Sequence, residues 1–185
     1  MLSILRNPVI FPVYVPHFLL AFCTGMIVPI LPVFAKSFDI SYSFVGIVLA
    51  ADGLGRLLGD LPSAVILNRI GRKLAMIFGV SIVAICGAAL FIAPSIYIVF
   101  ILRLIGGAGG SLWNISRYAY LTDITSPSQR GRTISIFGGV SRIGSAFGPA
   151  VGGVIAAWTT LQGPFLLFGA VGAIAALHRC HCNRR

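Results

Sequence analysis

The chain has 185 residues, 57% of them hydrophobic and 10% charged, against roughly 45–50% apolar and about 25% charged in an average soluble domain. With a mean hydropathy of +0.97, this composition argues against a soluble enzyme and against a disordered chain, and it fits an integral membrane protein. Fourteen Lys and Arg face four acidic residues, a formal charge of +10 that in such a chain points to cytoplasmic loops rather than to nucleic acid.

Six apolar segments follow one another at about 9–35, 43–67, 74–93, 97–119, 132–158 and 161–178. Each approaches the ~20 residues that a helix needs to cross a hydrocarbon core. The expected fold is therefore all-α, a polytopic bundle of six transmembrane helices over 1–178, with a basic cytoplasmic tail at 179–185. Polar breaks separate the segments: Lys36 to Asp39, Asn68 to Lys73, Pro94-Ser95, Asp123 to Arg130, and Gly163-Pro164. No small-residue cleavage site follows the first apolar run, so no removable signal peptide is expected.

The first segment carries Pro12, Pro16, Pro29 and Pro32, which free backbone carbonyls and mark it as flexible or cavity-lining. His17, near its end, reads as interfacial. On the second, Asp52, Arg56 and Asp60 recur every fourth residue and form one polar stripe. That stripe reads either as a stabilising ion-pair ladder or, more sharply, as a proton-titrating carboxylate at Asp52. In the short loop Asn68-Arg69-Ile70-Gly71-Arg72-Lys73, Gly71 can take a left-handed conformation and the cations suit the anionic cytoplasmic leaflet. A plain positive-inside loop is the simpler reading.

In the fourth segment, Arg103 precedes Gly106-Gly107-Ala108-Gly109-Gly110. The glycines permit close helix approach, whereas Arg103 either snorkels outward or serves a cavity. The fifth holds Arg142 near its middle, and then Gly144, Gly148 and Gly152 on one face, with Pro149 and Gly153 beside them. Charge within a bilayer is costly unless it meets protein or water. Segments two, four and five are therefore expected to face an interior, and the charge-free third and sixth to face lipid.

Sidedness follows from the cations. Arg6, Arg69, Arg72, Lys73, Arg130, Arg132, Arg179, Arg184 and Arg185 fall on one side and Lys36 alone on the other, which places both termini in the cytoplasm. Cys23 and Cys86 lie in apolar runs, and Cys180 and Cys182 sit in the basic tail, so no disulfide framework is expected. His178-Arg179-Cys180-His181-Cys182 crowds its ligands too closely for a zinc site. No metal or cofactor is expected. Neither a phosphate-binding glycine loop nor a nucleophile–base pair is present to suggest an enzyme.

The loop at 68–73 resembles the signature between helices two and three of the major facilitator superfamily of secondary transporters. Arg69, Gly71, Arg72 and Lys73 match that pattern, while Asn68 replaces its carboxylate and Ala64 its first glycine. Arg103 with Gly107 resembles the fourth-helix pattern. Gly144, Gly148, Pro149, Gly152 and Gly153 resemble the fifth-helix motif of the drug/proton antiporter branch. Asp123 with Arg130-Gly131-Arg132 is similar to the loop that follows helix four, and its carboxylate is placed to pair with Arg72.

The resemblance implies the N-terminal six-helix half of a transporter built on a 3+3 inverted repeat. It implies a plasma-membrane protein carrying out proton-coupled antiport, or efflux, of a small molecule. Asp52 and Arg103 are then the expected coupling residues, with Arg56 and Arg142 balancing charge or holding an anionic group, and Asp60 serving proton coupling or charge balance. Family members have two such halves, and the tail resembles nothing in the family, so a truncated product or a fragment of a longer gene is expected. The alternatives are a non-transporting membrane remnant or scaffold and a homodimeric half-transporter. Partners would be a small-molecule substrate, membrane lipid, and a second half or copy, without nucleic acid.

Overall fold

The computed structural model describes the backbone of residues 11–181, with side chains at 14–172 and 174. Arg6, Cys182, Arg184 and Arg185 lie outside the described residues, as do the side chains of His178, Arg179, Cys180 and His181.

Among the described residues the fold is all-α. The helices are α1 (Phe11–Lys36), α2 (Tyr42–Ile70), α3 (Arg72–Ala89), α4 (Ile96–Ile124), α5 (Arg130–Trp158) and α6 (Gly163–His181), with a 3₁₀ turn (Leu90–Ile92) prolonging α3. Local chemistry sets the ends. Ser41 and Ser95 cap α2 and α4, their hydroxyls accepting from the Phe44 and Tyr97 amides at 3.3 and 3.4 Å. Gly71 alone separates α2 from α3, at φ 79° and ψ 165°. That is positive φ, as expected, but with ψ in the extended region that is essentially restricted to glycine.

Several helices outrun their apolar segments. α4 reaches Ile124 instead of ending near 119, and α2 reaches Ile70 instead of 67. Hydropathy marks the part of a helix suited to lipid, whereas polar residues such as Arg69 and Asp123 continue the helix beyond it. Among the described residues four helices, over Tyr14–Lys36, Arg72–Ile92, Ile96–Ile124 and Arg130–Trp158, are long and apolar enough to cross a membrane. The 29 residues of α2 span roughly 43 Å at 1.5 Å each, but Asp52, Arg56 and Asp60 interrupt its apolar character.

α1 runs unbroken through Pro16, Pro29 and Pro32. Its Met26, Ile27, Leu31 and Phe34 join Val48 of α2, Val99 of α4 and Phe165 of α6 in the main core. A second core gathers Tyr14, Met76, Val80, Trp113 and Phe137 from α1, α3, α4 and α5.

The expectation that α3 faces lipid needs correction. Ala75, Met76, Gly79, Val80, Ala84, Cys86 and Gly87 of α3 are buried, and its apolar span is 44% buried, against 17% for that of α5. Small residues account for this. Gly79 sits against the Trp113 backbone of α4, and Ala84 and Ala88 sit against Gly172 and Gly169 of α6. A helix without charge can be central when its side chains are small enough for neighbours to approach. The outer faces of α2 (Leu57, Leu58, Leu61) and α5 (Ile143, Phe147, Val154) are instead apolar and exposed.

Candidate functional site

All six helices contribute to one cavity of about 200 Å³. Its polar wall is built by close contact between α2 and α4. A Cβ on Gly107 would collide with the Asp52 carbonyl, and one on Gly55 with that of Leu104, so these backbones meet only because both residues are glycine. This places the Asp52 carboxylate opposite Arg103. Asp52 Oδ1 lies 3.5 Å from an Arg103 terminal nitrogen, and Oδ2 accepts from Arg56 Nε at 2.9 Å, one turn along α2. One carboxylate therefore bridges two guanidiniums at the cavity edge. Arg103 Nε is buried without a hydrogen-bond partner. The Arg103 side chain is 16% exposed and lines the cavity.

The stripe on α2 does not continue as a ladder. Asp60 accepts a hydrogen bond from Ser111 of α4 and does not line the cavity. Arg142 is exposed on α5, forms no ion pair among the described residues, and also stands outside the lining. Of the five charges expected from sequence to serve coupling or charge balance, the structure brings together Asp52, Arg56 and Arg103.

A second cluster was not legible as a site. His17, expected at the interface, is buried and lines the cavity, and its ring nitrogens bond to Arg117 Nη1. Arg117 is 3% exposed. No carboxylate pairs with it among the described residues. Its cation lies instead 4.7 to 5.9 Å from the rings of Tyr118, Phe137 and Trp113, an arrangement in which ring quadrupoles partly replace a counter-ion. Tyr14 stacks on Phe137 at 4.0 Å. The available signals were the charge of Arg117 within an apolar segment and the aromatics near it: Trp113 and Tyr118 flank Arg117 on α4, and Tyr14 sits three residues before His17 on α1.

The loop motif lies at one end of the bundle. Asn68, Arg69, Gly71, Arg72 and Lys73 are exposed, and Arg72 forms an ion pair with Asp123 at the far end of α4. The fifth-helix motif faces α1. Gly144, Gly148 and Gly152 lie against the backbone of Phe18, Phe22, Gly25 and Met26. Gly153 points to open space, and Pro149 lies within an uninterrupted α5. Cys23 and Cys86 are free and buried. Among the described residues no group of three His, Cys, Asp or Glu is placed to hold a metal.

The sequence profile of the Major Facilitator Superfamily matches residues 14–181. Multidrug resistance protein 2 of Bacillus subtilis (strain 168) is 27% identical over 176 residues, covering 95% of this chain and 44% of that protein. Quinolone resistance protein NorA of Staphylococcus aureus (strain Mu50) is 24% identical over 169 residues, covering 91% of this chain and 43% of its own length. The chain therefore spans less than half the length of the curated relatives it matches.

Proposed function

The chain belongs to the Major Facilitator Superfamily, and on that premise we propose that it forms the N-terminal six-helix half of a proton-coupled antiporter that exports a small molecule across the plasma membrane. One observation carries this reading: Asp52 held between Arg103 and Arg56 at the edge of a cavity to which every helix contributes. A carboxylate so placed has two alternatives, pairing with its guanidiniums or taking up a proton and releasing them, and that exchange is what coupling requires. The names of the two relatives, multidrug and quinolone resistance proteins, favour efflux.

Both termini then face the cytoplasm, because Arg69, Arg72, Lys73, Arg130 and Arg132 gather at one end while Lys36 marks the other. The opposite cavity wall is supplied by a second six-helix half or, in a half-transporter, by a second copy of this chain. The exposed apolar faces of α2 and α5 suit that contact.

Proteoliposomes containing the 185-residue chain, with a pH dye trapped inside, provide the test. Solute-dependent proton movement from a dimer supports transport by two copies. A monomer without flux that gains it when a second half is supplied supports the half-transporter reading, and absence of flux in both assigns the chain to a non-transporting scaffold. In whichever assembly is active, Asp52→Asn is expected to abolish proton-coupled exchange. Flux with unchanged pH dependence would make the Asp52 contacts structural only.

A further inference from the structure

The cavity carries an unbalanced charge. Arg56 and Arg103 both line it, and Asp52 is the acidic residue in its wall. The whole chain has four acidic residues, and none of the other three can neutralise the excess. Asp60 is turned to Ser111, Asp123 is paired with Arg72 at the bundle end, and Asp39 lies in the loop after α1. Two guanidiniums thus share one carboxylate, which leaves a net positive charge in the cavity wall.

The unused donors are identifiable. Arg56 spends Nε on Asp52, and its two terminal nitrogens have no partner among the described residues, so a planar two-pronged donor remains open. Its side chain is 44% exposed. Leu20, Ile27, Val83, Leu102, Trp113 and Phe168 supply an apolar and aromatic stretch of the wall, beside the polar His17, Thr24, Asn114, Ser141 and Ser145. A dry cavity of ~150 Å³ holds a benzene molecule, so the roughly 200 Å³ here admits one substituted ring.

Resting on the reading of this cavity as the solute site, we propose that it selects an aromatic monocarboxylate, the carboxylate taken by the fork of Arg56 and the ring lying against Trp113 and Phe168. A guanidinium fork matches a carboxylate through two parallel hydrogen bonds. A lipophilic cation of the same size meets the wrong sign of charge.

Trp113 lines the cavity while Trp158, the chain's other tryptophan, is 86% exposed. Trp158→Phe therefore leaves a single fluorophore at the site. The purified chain in neutral detergent is titrated with 4-nitrobenzoate, 4-nitrobenzyl alcohol and 4-nitrobenzylammonium, three quenchers sharing one ring. The proposal expects saturable quenching by the carboxylate, at least tenfold tighter than by either analogue. Arg56→Gln should weaken it at least tenfold. Because the Arg56 side chain is partly exposed, its variant should retain the parent's Trp113 emission maximum and melting curve. If the ammonium binds as well as the carboxylate, or Arg56→Gln changes nothing, the charge selection is overturned while the cavity still stands as a small-molecule site. If no probe saturates, the cavity is not a solute site, and the reading beneath the proposal fails with it.

Discussion

Two seams hold the bundle together, α2 against α4 and α1 against α5, and they use glycine in the same way but charge differently. In the first, Gly55, Gly59 and Gly107 bring the backbones together, and Asp52, Arg56, Arg103 and Asp60 accompany them. In the second, Gly144, Gly148 and Gly152 lie against α1, and no ion pair crosses the seam among the described residues. Close packing is thus achieved once with charge and once without it. The charges of the first seam are not what brings its helices together. Asp52, Arg56 and Arg103 stand where the cavity opens, and desolvating Asp52 and Arg103 is a cost that packing alone does not require. This is the physical ground for giving Asp52 and Arg103 a task beyond stability.

The largest expected effect breaks the seam that relies on glycine alone. A Cβ at Gly148 would lie 2.8 Å from Gly25 Cα, backbone against backbone, with no flexible side chain to yield. Gly148→Val is expected to cost about 3 kcal/mol or more, seen as loss of monodisperse protein in detergent. Gly107→Val should match it, since the Asp52 backbone stands equally in the way. A mild effect at Gly107 alone would mean that charge does hold the first seam. Next comes Arg117, the buried cation that joins α1 and α4 through His17. Arg117→Ala should cost about 2–3 kcal/mol by leaving a hole, whereas Arg117→Met, which keeps volume and removes charge, should cost less than about 1 kcal/mol. Equal losses in thermal melts would show that the cation itself is needed there.

A smaller effect sharpens the contrast. Replacing Asp52 and Arg103 together by Asp52→Asn with Arg103→Gln should change stability by less than about 1 kcal/mol, because neither is left as an unpaired charge and Arg56, 44% exposed, stays solvated. Proton-coupled exchange should be lost in the same protein. Retained melting with lost transport is the outcome that separates these groups from a structural ladder.

The same contrast explains what could be read from the chain. Glycine spacing made the α5 groove legible, because Gly144, Gly148 and Gly152 fall on one face whatever they meet. The four-residue recurrence of Asp52, Arg56 and Asp60 likewise fixed a shared face. It did not reveal that Asp60 turns to Ser111 while Asp52 reaches Arg103, since partner choice is decided by another helix about fifty positions away in sequence. His17 and Arg117 were harder still. They are 100 residues apart, and the groups around the cation are aromatic rings, which in an apolar chain look like any other core residue. Reading charge as the mark of an interior helix also misplaced α3, whose central position rests on small residues rather than polar ones.

The smallest effect is expected at the bundle end, where Arg72 meets Asp123. Both side chains are well exposed, 49% and 40%, so water and salt screen the pair and it should contribute only about 0.2–1 kcal/mol. Asp123→Asn should lower the melting temperature slightly at low ionic strength and leave it unchanged at high salt. The same substitution in an Arg72→Gln background should have no effect at either. The contact of Asp52 with Arg103, whose side chains are 22% and 16% exposed, should show less salt dependence. The pair joins the first turn of α3 to the last turn of α4, helices already packed through Gly79 and Gly109. Its loss therefore leaves their contact in place. If Asp123→Asn proved as costly as Arg117→Ala, an exposed ion pair would be holding what glycine was assigned to hold, and the division between packing by small residues and function by charge would fail at this end of the molecule.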